Sequence, residues 1–273
     1  MYEAHWGLQS KPFEDTADVR FYYPGDAHQG ALLKLRYAVE NRRSAALLTG
    51  GSGLGKTLLV ERLFAQLPAA WKPAVHLVFP ELPPAELLSY LADELGVPRT
   101  AGGPHSIEIG LRRLEAALRG RADEGRHVLI AIDEAHRLAA RGELETLRLL
   151  LNLHVEGRPA LTLLIAGQTP LLPALQRLPA LEERLAVKCL LRPFTADETA
   201  LYVRHRMAAA GSIDHPFDDS AIDALAHLSQ GVPRRINRLA DLALLVGFAE
   251  DRPRISAAQV EAVCEELVAV HPE

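Results

Sequence analysis

The chain has 273 residues, of which 48% are hydrophobic and 24% charged, and its formal net charge is −5. Such a composition is typical of a soluble globular protein that forms one large domain, or a core with a smaller appendage. The negative net charge argues against a global electrostatic attraction to nucleic acid, although it does not exclude local basic patches.

The N-terminus shows no signal-peptide pattern, and the apolar runs are all much shorter than the roughly 18 residues that span a bilayer. We therefore predict a cytoplasmic protein with no transmembrane segment of its own. Cys189 and Cys264 lie far apart without CxxC spacing. We expect both to be reduced and to pack as small hydrophobic residues.

Strands and helices are predicted to alternate over the first two thirds of the chain. An aromatic, proline-containing segment opens the chain and leads into a helix at 26–43, and residues 98–104 form a loop. Short apolar strands are predicted at 45–48, 75–79, 128–132 and 161–166. Helices are predicted at 57–67, 83–95, 107–118 and 144–153. This alternation indicates an α/β fold of three layers, with a parallel sheet covered on both faces.

After Pro193 the sequence shows helical patterns and no strand patterns. Two capping boxes open helices, one from Thr195 to Glu198 and one from Ser256 to Gln259. Helical periodicity also covers 218–229 and 233–249. We predict three parts: an N-terminal aromatic segment and helix (1–43), an α/β core (44–193) and a small all-helical lid domain (194–273).

A glycine-rich loop lies between the first predicted strand and the next helix. Residues 50–57 match the phosphate-binding loop pattern Gly-x-x-x-x-Gly-Lys-Thr. Backbone N–H groups of such a loop surround phosphates, and the helix N-terminus adds favourable electrostatics. Lys56 would neutralise the β- and γ-phosphates of ATP, and Thr57 would bind Mg²⁺. The predicted nucleotide-binding residues are Gly50, Gly51, Ser52, Gly53, Leu54, Gly55, Lys56, Thr57 and Leu58.

Two acidic residues end the third predicted strand. Asp133 would hold Mg²⁺, and Glu134 would polarise the attacking water. The alternative is that both residues merely cap the following helix. Together with the loop, they predict ATP hydrolysis as well as binding.

His136 completes the sequence Asp-Glu-Ala-His, which is typical of one class of helicases. Those helicases need two tandem domains, and this chain has room for one, so we expect His136 only to begin a helix.

Two further polar residues are candidates for catalysis. Gln168 follows the fourth predicted strand and could hydrogen-bond the γ-phosphate or the attacking water; the alternative is a loop glutamine. Arg184 precedes the end of the α/β part and could reach a neighbouring subunit's site, which requires oligomerisation. The alternative for Arg184 is a solvated arginine that pairs with Glu182 or Glu183.

The lid begins one of its helices at Pro233, a favourable first-turn position for proline. Arg234, next in sequence, would point back toward the γ-phosphate. Arg235 and Arg238 are competing choices, and all three could instead be surface residues. In the N-terminal segment, Phe13 is a candidate for packing against adenine, with core packing as the alternative.

These motifs, in this order, resemble those of the AAA+ ATPases. Within that superfamily, the N-terminal residues and the lid motif resemble the ATPase domain of the general secretion pathway protein A family (ExeA/GspA). The N-terminal match comprises Tyr2, Trp6-Gly7-Leu8, Lys11-Pro12-Phe13, Asp18, Phe21-Tyr22, His28 and Ala31-Leu32, and the lid match runs from Gly231 to Leu239. The resemblance implies an ATPase that oligomerises as a ring or filament and acts with a membrane-bound secretion partner.

Stand-alone ATPases of the TniB, MuB and IstB type are similar as well. That second resemblance implies an ATP-dependent regulator that binds DNA and presents it to a transposase. Arg112, Arg113 and Arg119 form the basic side of a predicted helix, and they would make such binding salt-dependent. A third possibility is a nucleotide-binding switch without hydrolysis, which the intact Glu134 disfavours.

Overall fold

The computed structural model describes residues 1–16, 18–68, 71, 74–97, 106–141, 143–212 and 214–269. Contacts within the chain define two compact units. The first, here called the helical unit, comprises Met1–His28, Gly53–Leu58 and Arg192–Glu273. The second, the sheet unit, comprises Gln29–Ser52 and Leu59–Leu191. The predicted loop 98–104 lies outside the described residues.

Among the described residues, the sheet unit contains a parallel sheet of five strands in the order β2-β3-β6-β1-β7. Every residue of β1, β3 and β6 is buried, so the central strands are covered on both faces. The α/β parallel-sheet prediction is therefore confirmed. The strands are β1 (Ala45–Gly50), β2 (Val75–Leu77), β3 (Val128–Ile132), the hairpin strands β4 (His154–Val155) and β5 (Arg158–Pro159), β6 (Leu161–Gly167) and β7 (Leu185–Leu191).

Strand β7 is absent from the sequence prediction. Among the described strands it pairs with β1 alone, and it forms one edge of the sheet. Exposed residues such as Lys188 alternate with buried ones such as Cys189 along this strand. The apolar run that marks a central strand is therefore interrupted, because an edge strand keeps part of its surface in water.

Helices separate the strands of the sheet. Leucine and alanine side chains of the helices and the sheet form one hydrophobic core, with Leu91, Leu114 and Leu147 fully buried. Helices α1 and α2 contain residues of both units. The helices up to β7 are α1 (Asp26–Glu40), α2 (Lys56–Gln66), α3 (Pro84–Glu94), α4 (Ile107–Asp123), α5 (His136–Arg141), α6 (Leu144–Leu150), α7 (Leu171–Gln176) and α8 (Pro179–Glu182).

In the described part of the helical unit, four α-helices that follow β7 pack around a second core. Thr195 and Glu198 form the predicted capping box at its first helix, and aromatic residues of the N-terminal segment belong to the same core. Trp6 anchors that segment, since its indole Nε1–H donates to the carbonyl oxygen of Leu244 at 3.0 Å. The helices are α9 (Ala196–Ala209), α10 (Asp219–Ser229), α11 (Pro233–Ala249) and α12 (Ala257–Ala269).

A buried arginine holds the N-terminal segment in place. The guanidinium of Arg206 donates to the carbonyl oxygens of Pro12 and Glu14 and lies 4.5 Å from the ring centre of Phe21. Phe13 is only 2% exposed within this cluster, which supports core packing over contact with a nucleotide base.

Both cysteines are free, and Cys189 is buried. Burial raises the pKa of the Cys189 thiol to about 11, so the thiol stays protonated at neutral pH. No helix within the described ranges is both long enough and apolar enough to cross a membrane.

Candidate nucleotide-binding site

The glycine-rich loop connects the end of β1 to the start of α2 at Lys56. Gly53 and Gly55 have φ angles of 75° and 82°, values that residues with a side chain rarely adopt. Lys56 is buried, with 6% of its surface exposed. Helix α2 begins at this end of the loop, and the partial positive charge of a helix N-terminus favours a bound phosphate.

The acidic pair follows β3, at the edge of the sheet where β1 and β6 also end. All three strands are parallel and β6 lies between the other two. Asp133 is 1% exposed, and its backbone N–H donates to the carbonyl oxygen of Leu77 on β2 at 2.8 Å. The start of the glycine-rich loop and the acidic pair therefore leave the sheet at one edge, where ligands of open α/β sheets bind.

Glu134 has an unusual backbone conformation. Its φ is 51°, in the left-handed region that costs a residue with a side chain about 1–2 kcal/mol. Its N–H donates to the Oδ1 atom of Asp133 at 2.8 Å, which stabilises the turn. Local strain of this kind concentrates at functional sites, and the side chain of Glu134 remains 34% exposed.

His76 on β2 joins two acidic side chains. Its Nδ1 lies 2.7 Å from Oε1 of Glu61, and its Nε2 lies 3.8 Å from Oδ2 of Asp133. Burial by itself would lower the pKa of His76, but its interactions with Asp133 and Glu61 outweigh burial and raise that pKa. Sequence reasoning missed His76, although a lone histidine in a buried apolar strand was an available signal.

Gln168 directly follows β6, as predicted. Its backbone N–H donates to Nδ1 of His136 at 3.4 Å, and Nε2 of the same ring lies 3.5 Å from Oε2 of Glu134. Helix α5 begins at His136, which confirms the expectation of a helix start. The structure adds that this side chain lies between Glu134 and the chain at Gln168.

Arg184 lies between α8 and β7. Its Nη1 is buried and has no hydrogen-bond partner among the residues that the structure describes. Within those residues, no ion pair joins Arg184 to Glu182 or Glu183, and Glu182 pairs with Lys188 at 2.5 Å instead. The local pairing that the sequence left open for Arg184 is therefore not observed.

In the helical unit, the first turn of α11 contacts the glycine-rich loop. The backbone N–H of Arg234 donates to the carbonyl oxygen of Gly53 at 3.2 Å. Its side-chain Nε lies 3.1 Å from Oδ2 of Asp15, a partner that sequence reasoning missed. Arg235 instead donates to the side chain of Gln230 at 3.1 Å. Among the described residues, Arg234 is thus the candidate lid arginine that the structure shows in contact with the loop.

His28 supports the same loop from the first turn of α1. Its Nε2 lies 2.8 Å from the carbonyl oxygen of Leu54. Because a carbonyl only accepts, Nε2 carries the proton. Burial lowers the pKa of His28, so the ring is neutral at physiological pH. The sequence showed this histidine within a family motif but gave no role for it.

The basic side of α4 is largely engaged within the protein. Arg113 pairs with Asp93, and only 12% of its side chain is exposed. Arg112 pairs with Glu108 one turn away at 2.8 Å. Two of the three arginines that would serve DNA binding therefore already have acidic partners.

The residues present fit a nucleotide with Mg²⁺. The two positive-φ glycines and the N-terminus of α2 form a phosphate-binding loop. The Thr57 hydroxyl and the Asp133 carboxylate each offer a hard oxygen donor of the kind that Mg²⁺ prefers.

The strand order, the glycine-rich loop and the acidic pair after β3 together define a P-loop NTPase of the AAA+ class. The chain belongs to the AAA domain family, whose sequence model matches residues 39–175.

One curated protein aligns with the whole of this chain. General secretion pathway protein A of Aeromonas hydrophila is 30% identical to this chain over 279 aligned residues, which include all of this chain and 50% of that protein. The chain thus spans about half the length of this relative.

Solved structures share the fold. The ORC2 protein of Aeropyrum pernix, solved with ADPNP and ADP, superposes with a TM-score of 0.73 at 18% identity, covering 98% of this chain and 74% of that one. The ORC1 protein of the same organism, solved in complex with DNA, gives a TM-score of 0.67 at 20% identity, covering 95% and 69%. At these identities the likeness establishes the fold alone.

Proposed function

We propose that the chain binds and hydrolyses ATP with Mg²⁺. The observation that carries this proposal is the intact glutamate after the buried Asp133, held at a positive φ beside the sheet edge where β1 ends. A carboxylate that directly follows a central strand and the buried Asp133 can act as the general base that activates a water molecule.

The chemistry divides among a few side chains. Lys56 would neutralise charge on the β- and γ-phosphates, and Thr57 and Asp133 would hold Mg²⁺, which would neutralise further phosphate charge when bound. Glu134 would orient the attacking water and accept its proton. Gln168 and Arg234 would hydrogen-bond the γ-phosphate or the attacking water.

Oligomerisation is the second part of the proposal. Nη1 of Arg184 is buried and unpaired among the described residues, and an arginine needs an acceptor for its donors. In a homo-oligomer, Arg184 would act in trans on a neighbour's nucleotide and stabilise developing negative charge. A head-to-tail interface of this kind builds a ring or a filament.

The proposed role of ATP binding and hydrolysis is to control a macromolecular partner. The alignment with general secretion pathway protein A spans this whole chain, which supports a role of that type with a membrane-bound secretion partner. A cytoplasmic location is part of this proposal. The alternative is a DNA-binding regulator of transposition, and pairing of Arg112 and Arg113 with acidic residues weakens it.

Two substitutions test hydrolysis. Lys56→Ala should abolish ATP binding, whereas Glu134→Gln should bind ATP normally and reduce turnover by about a hundredfold or more. Calorimetry would measure binding, and phosphate release would measure turnover. Wild-type turnover in Glu134→Gln would refute the role of Glu134.

Light scattering tests assembly. Wild type and Glu134→Gln should form oligomers with ATP and not with ADP, and Arg184→Ala should lose turnover while it still binds ATP. A monomer with ATP in both proteins would contradict the oligomer proposal.

A DNA titration with and without ATP, repeated at two salt concentrations, separates the secretion role from the transposition role. DNA affinity that depends on arginines falls steeply with salt.

A further inference from the structure

We infer that His136 is a positioning residue that holds the carboxylate of Glu134 and couples it to the chain at Gln168. This inference rests on the proposed hydrolytic function. It assigns a role to a residue that the sequence marks only as a helix start.

The hydrogen-bond donors around the ring determine its tautomer. The backbone N–H of Gln168 can only donate, so the Nδ1 atom that it meets at 3.4 Å is the unprotonated nitrogen of a neutral ring. The proton is then on Nε2, which lies 3.5 Å from Oε2 of Glu134. The ring thus presents an N–H to the carboxylate that would activate water.

The backbone around His136 is closely packed against the end of β6. The N–H of Ala135 donates to the carbonyl oxygen of Ala166 at 2.9 Å. A side chain at Gly167 would lie 3.1 Å from the backbone nitrogen of His136. Because the two chain segments touch here, a displacement at Gln168 is transmitted directly to the turn that carries Glu134 and His136.

This arrangement predicts how the site responds to ATP. When the Gln168 side chain engages the γ-phosphate, its backbone N–H would be held against Nδ1 and would keep the imidazole in one orientation. The Nε2–H would then orient the carboxylate of Glu134 toward the attacking water. Without this N–H the carboxylate would be poorly oriented, so turnover should fall while ATP binding persists.

Three substitutions at position 136 separate the two contacts. Glutamine places an amide N–H near the position of Nε2 and keeps the donor to Glu134. Asparagine places an amide oxygen near the position of Nδ1 and keeps the acceptor for Gln168. Alanine removes both the donor to Glu134 and the acceptor for Gln168. We expect His136→Ala and His136→Asn to lower kcat by about tenfold with KM for ATP nearly unchanged, and His136→Gln to recover most of kcat.

A double-mutant cycle tests the coupling. Gln168→Ala should reduce kcat/KM strongly in the wild type, and its effect should shrink by about fivefold in His136→Gln, where the donor to Glu134 remains but the acceptor for Gln168 is lost. The matched control is His154→Ala, at an exposed histidine whose Nδ1 lies 2.8 Å from the Asn152 carbonyl oxygen. It should leave kcat unchanged.

The outcomes are distinct. Wild-type kcat in His136→Ala, equal losses in the asparagine and glutamine variants, or additive effects in the cycle would each overturn the inference. If His136→Ala does not fold, the comparison of asparagine with glutamine decides. Absence of hydrolysis in the wild type would instead refute the proposed function, so the two failures are distinguishable.

Discussion

Arg234 and Gly53 are joined at the level of the backbone, by a hydrogen bond of 3.2 Å from the N–H of Arg234 to the carbonyl oxygen of Gly53. A side chain at Gly53 would lie 2.8 Å from Cβ of Arg234 and 3.2 Å from Cγ1 of Val232. Within the helical unit, the first turn of α11 therefore packs directly on the phosphate loop. The loop conformation and the position of Arg234 depend on each other.

Substitution Gly53→Ala should lower ATP affinity by about tenfold or more, because it adds both a positive-φ penalty and a close contact with Arg234. Calorimetric titration of ATP would measure the loss. Gly125→Ala is the matched control, since its φ is 72° and nothing lies within 4 Å of an added Cβ. The control should lose about 1 kcal/mol of stability with unchanged ATP affinity. Equal ATP affinities for the two variants would contradict the argument.

Under the proposed function, the exposed ion pair between Asp15 and Arg234 would compete with a bound γ-phosphate for the same guanidinium. Side-chain exposures of 66% and 60% limit the contribution of the pair to stability to about 0.5 kcal/mol. Asp15→Asn should therefore leave the unfolding midpoint unchanged and raise ATP affinity about twofold, because Arg234 is released.

Arg234→Ala should lower the affinity for ATP about tenfold and leave the affinity for ADP unchanged. An equal loss for both nucleotides would exclude recognition of the γ-phosphate by Arg234.

Arg206 should be important for stability. Its charged hydrogen bonds to two carbonyl oxygens of the N-terminal segment are buried, and bonds to charged groups contribute more than neutral ones. Arg206→Met should lower the free energy of unfolding by about 3 kcal/mol in urea denaturation. Arg204→Met is the control two residues away, with a solvent-exposed ion pair of 3.8 Å to Asp219; its expected cost is below about 0.5 kcal/mol. Similar costs for the two variants would disprove the anchoring role.

Acid should destabilise the fold partly through His127. Burial lowers the pKa of His127 to about 4 from its ordinary value of 6.5. As pH falls from 6.5 toward 4, the unfolded chain therefore binds a proton that the folded state excludes. The fold loses up to about 3 kcal/mol over that window, while above pH 6.5 the residue contributes no pH dependence.

The variant His127→Gln tests this acid sensitivity. Glutamine cannot titrate and can still donate to the hydroxyl of Thr162, which lies 3.0 Å from Nε2 of His127. The free energy of unfolding should fall less between pH 7 and pH 4.5 in this variant than in the wild type. His154→Gln, at an exposed histidine, should keep the wild-type slope. A slope unchanged by His127→Gln would count against the burial argument.

Local rules explain why much of the site was predictable. The phosphate-binding loop follows from glycine dihedrals at Gly53 and Gly55 and from a helix that begins at Lys56, and each feature involves neighbouring residues only. The central strands are continuous apolar runs because both of their faces are buried. Asp133 and Glu134 follow such a run, so their place at a strand end could be derived without the fold.

Contacts between distant residues could not be derived in this way. The sequence shows Arg113 as part of a basic helix face, but packing of α4 against α3 gives it Asp93 as a partner. Strand β7 forms because its backbone pairs with the outer side of β1. A strand that keeps one side in water lacks the continuous pattern from which a strand is recognised.

The sequence by itself determined that this is an α/β protein with a glycine-rich phosphate-binding loop and an acidic pair at the end of a central strand, since backbone dihedrals and apolar periodicity are local properties. Only the tertiary structure decided what surrounds those residues: His28 on the carbonyl of Leu54, Asp15 on Arg234, and His136 between Glu134 and Gln168. Each partner is chosen by side-chain packing and by which segments lie next to each other, and no spacing along the chain encodes that choice.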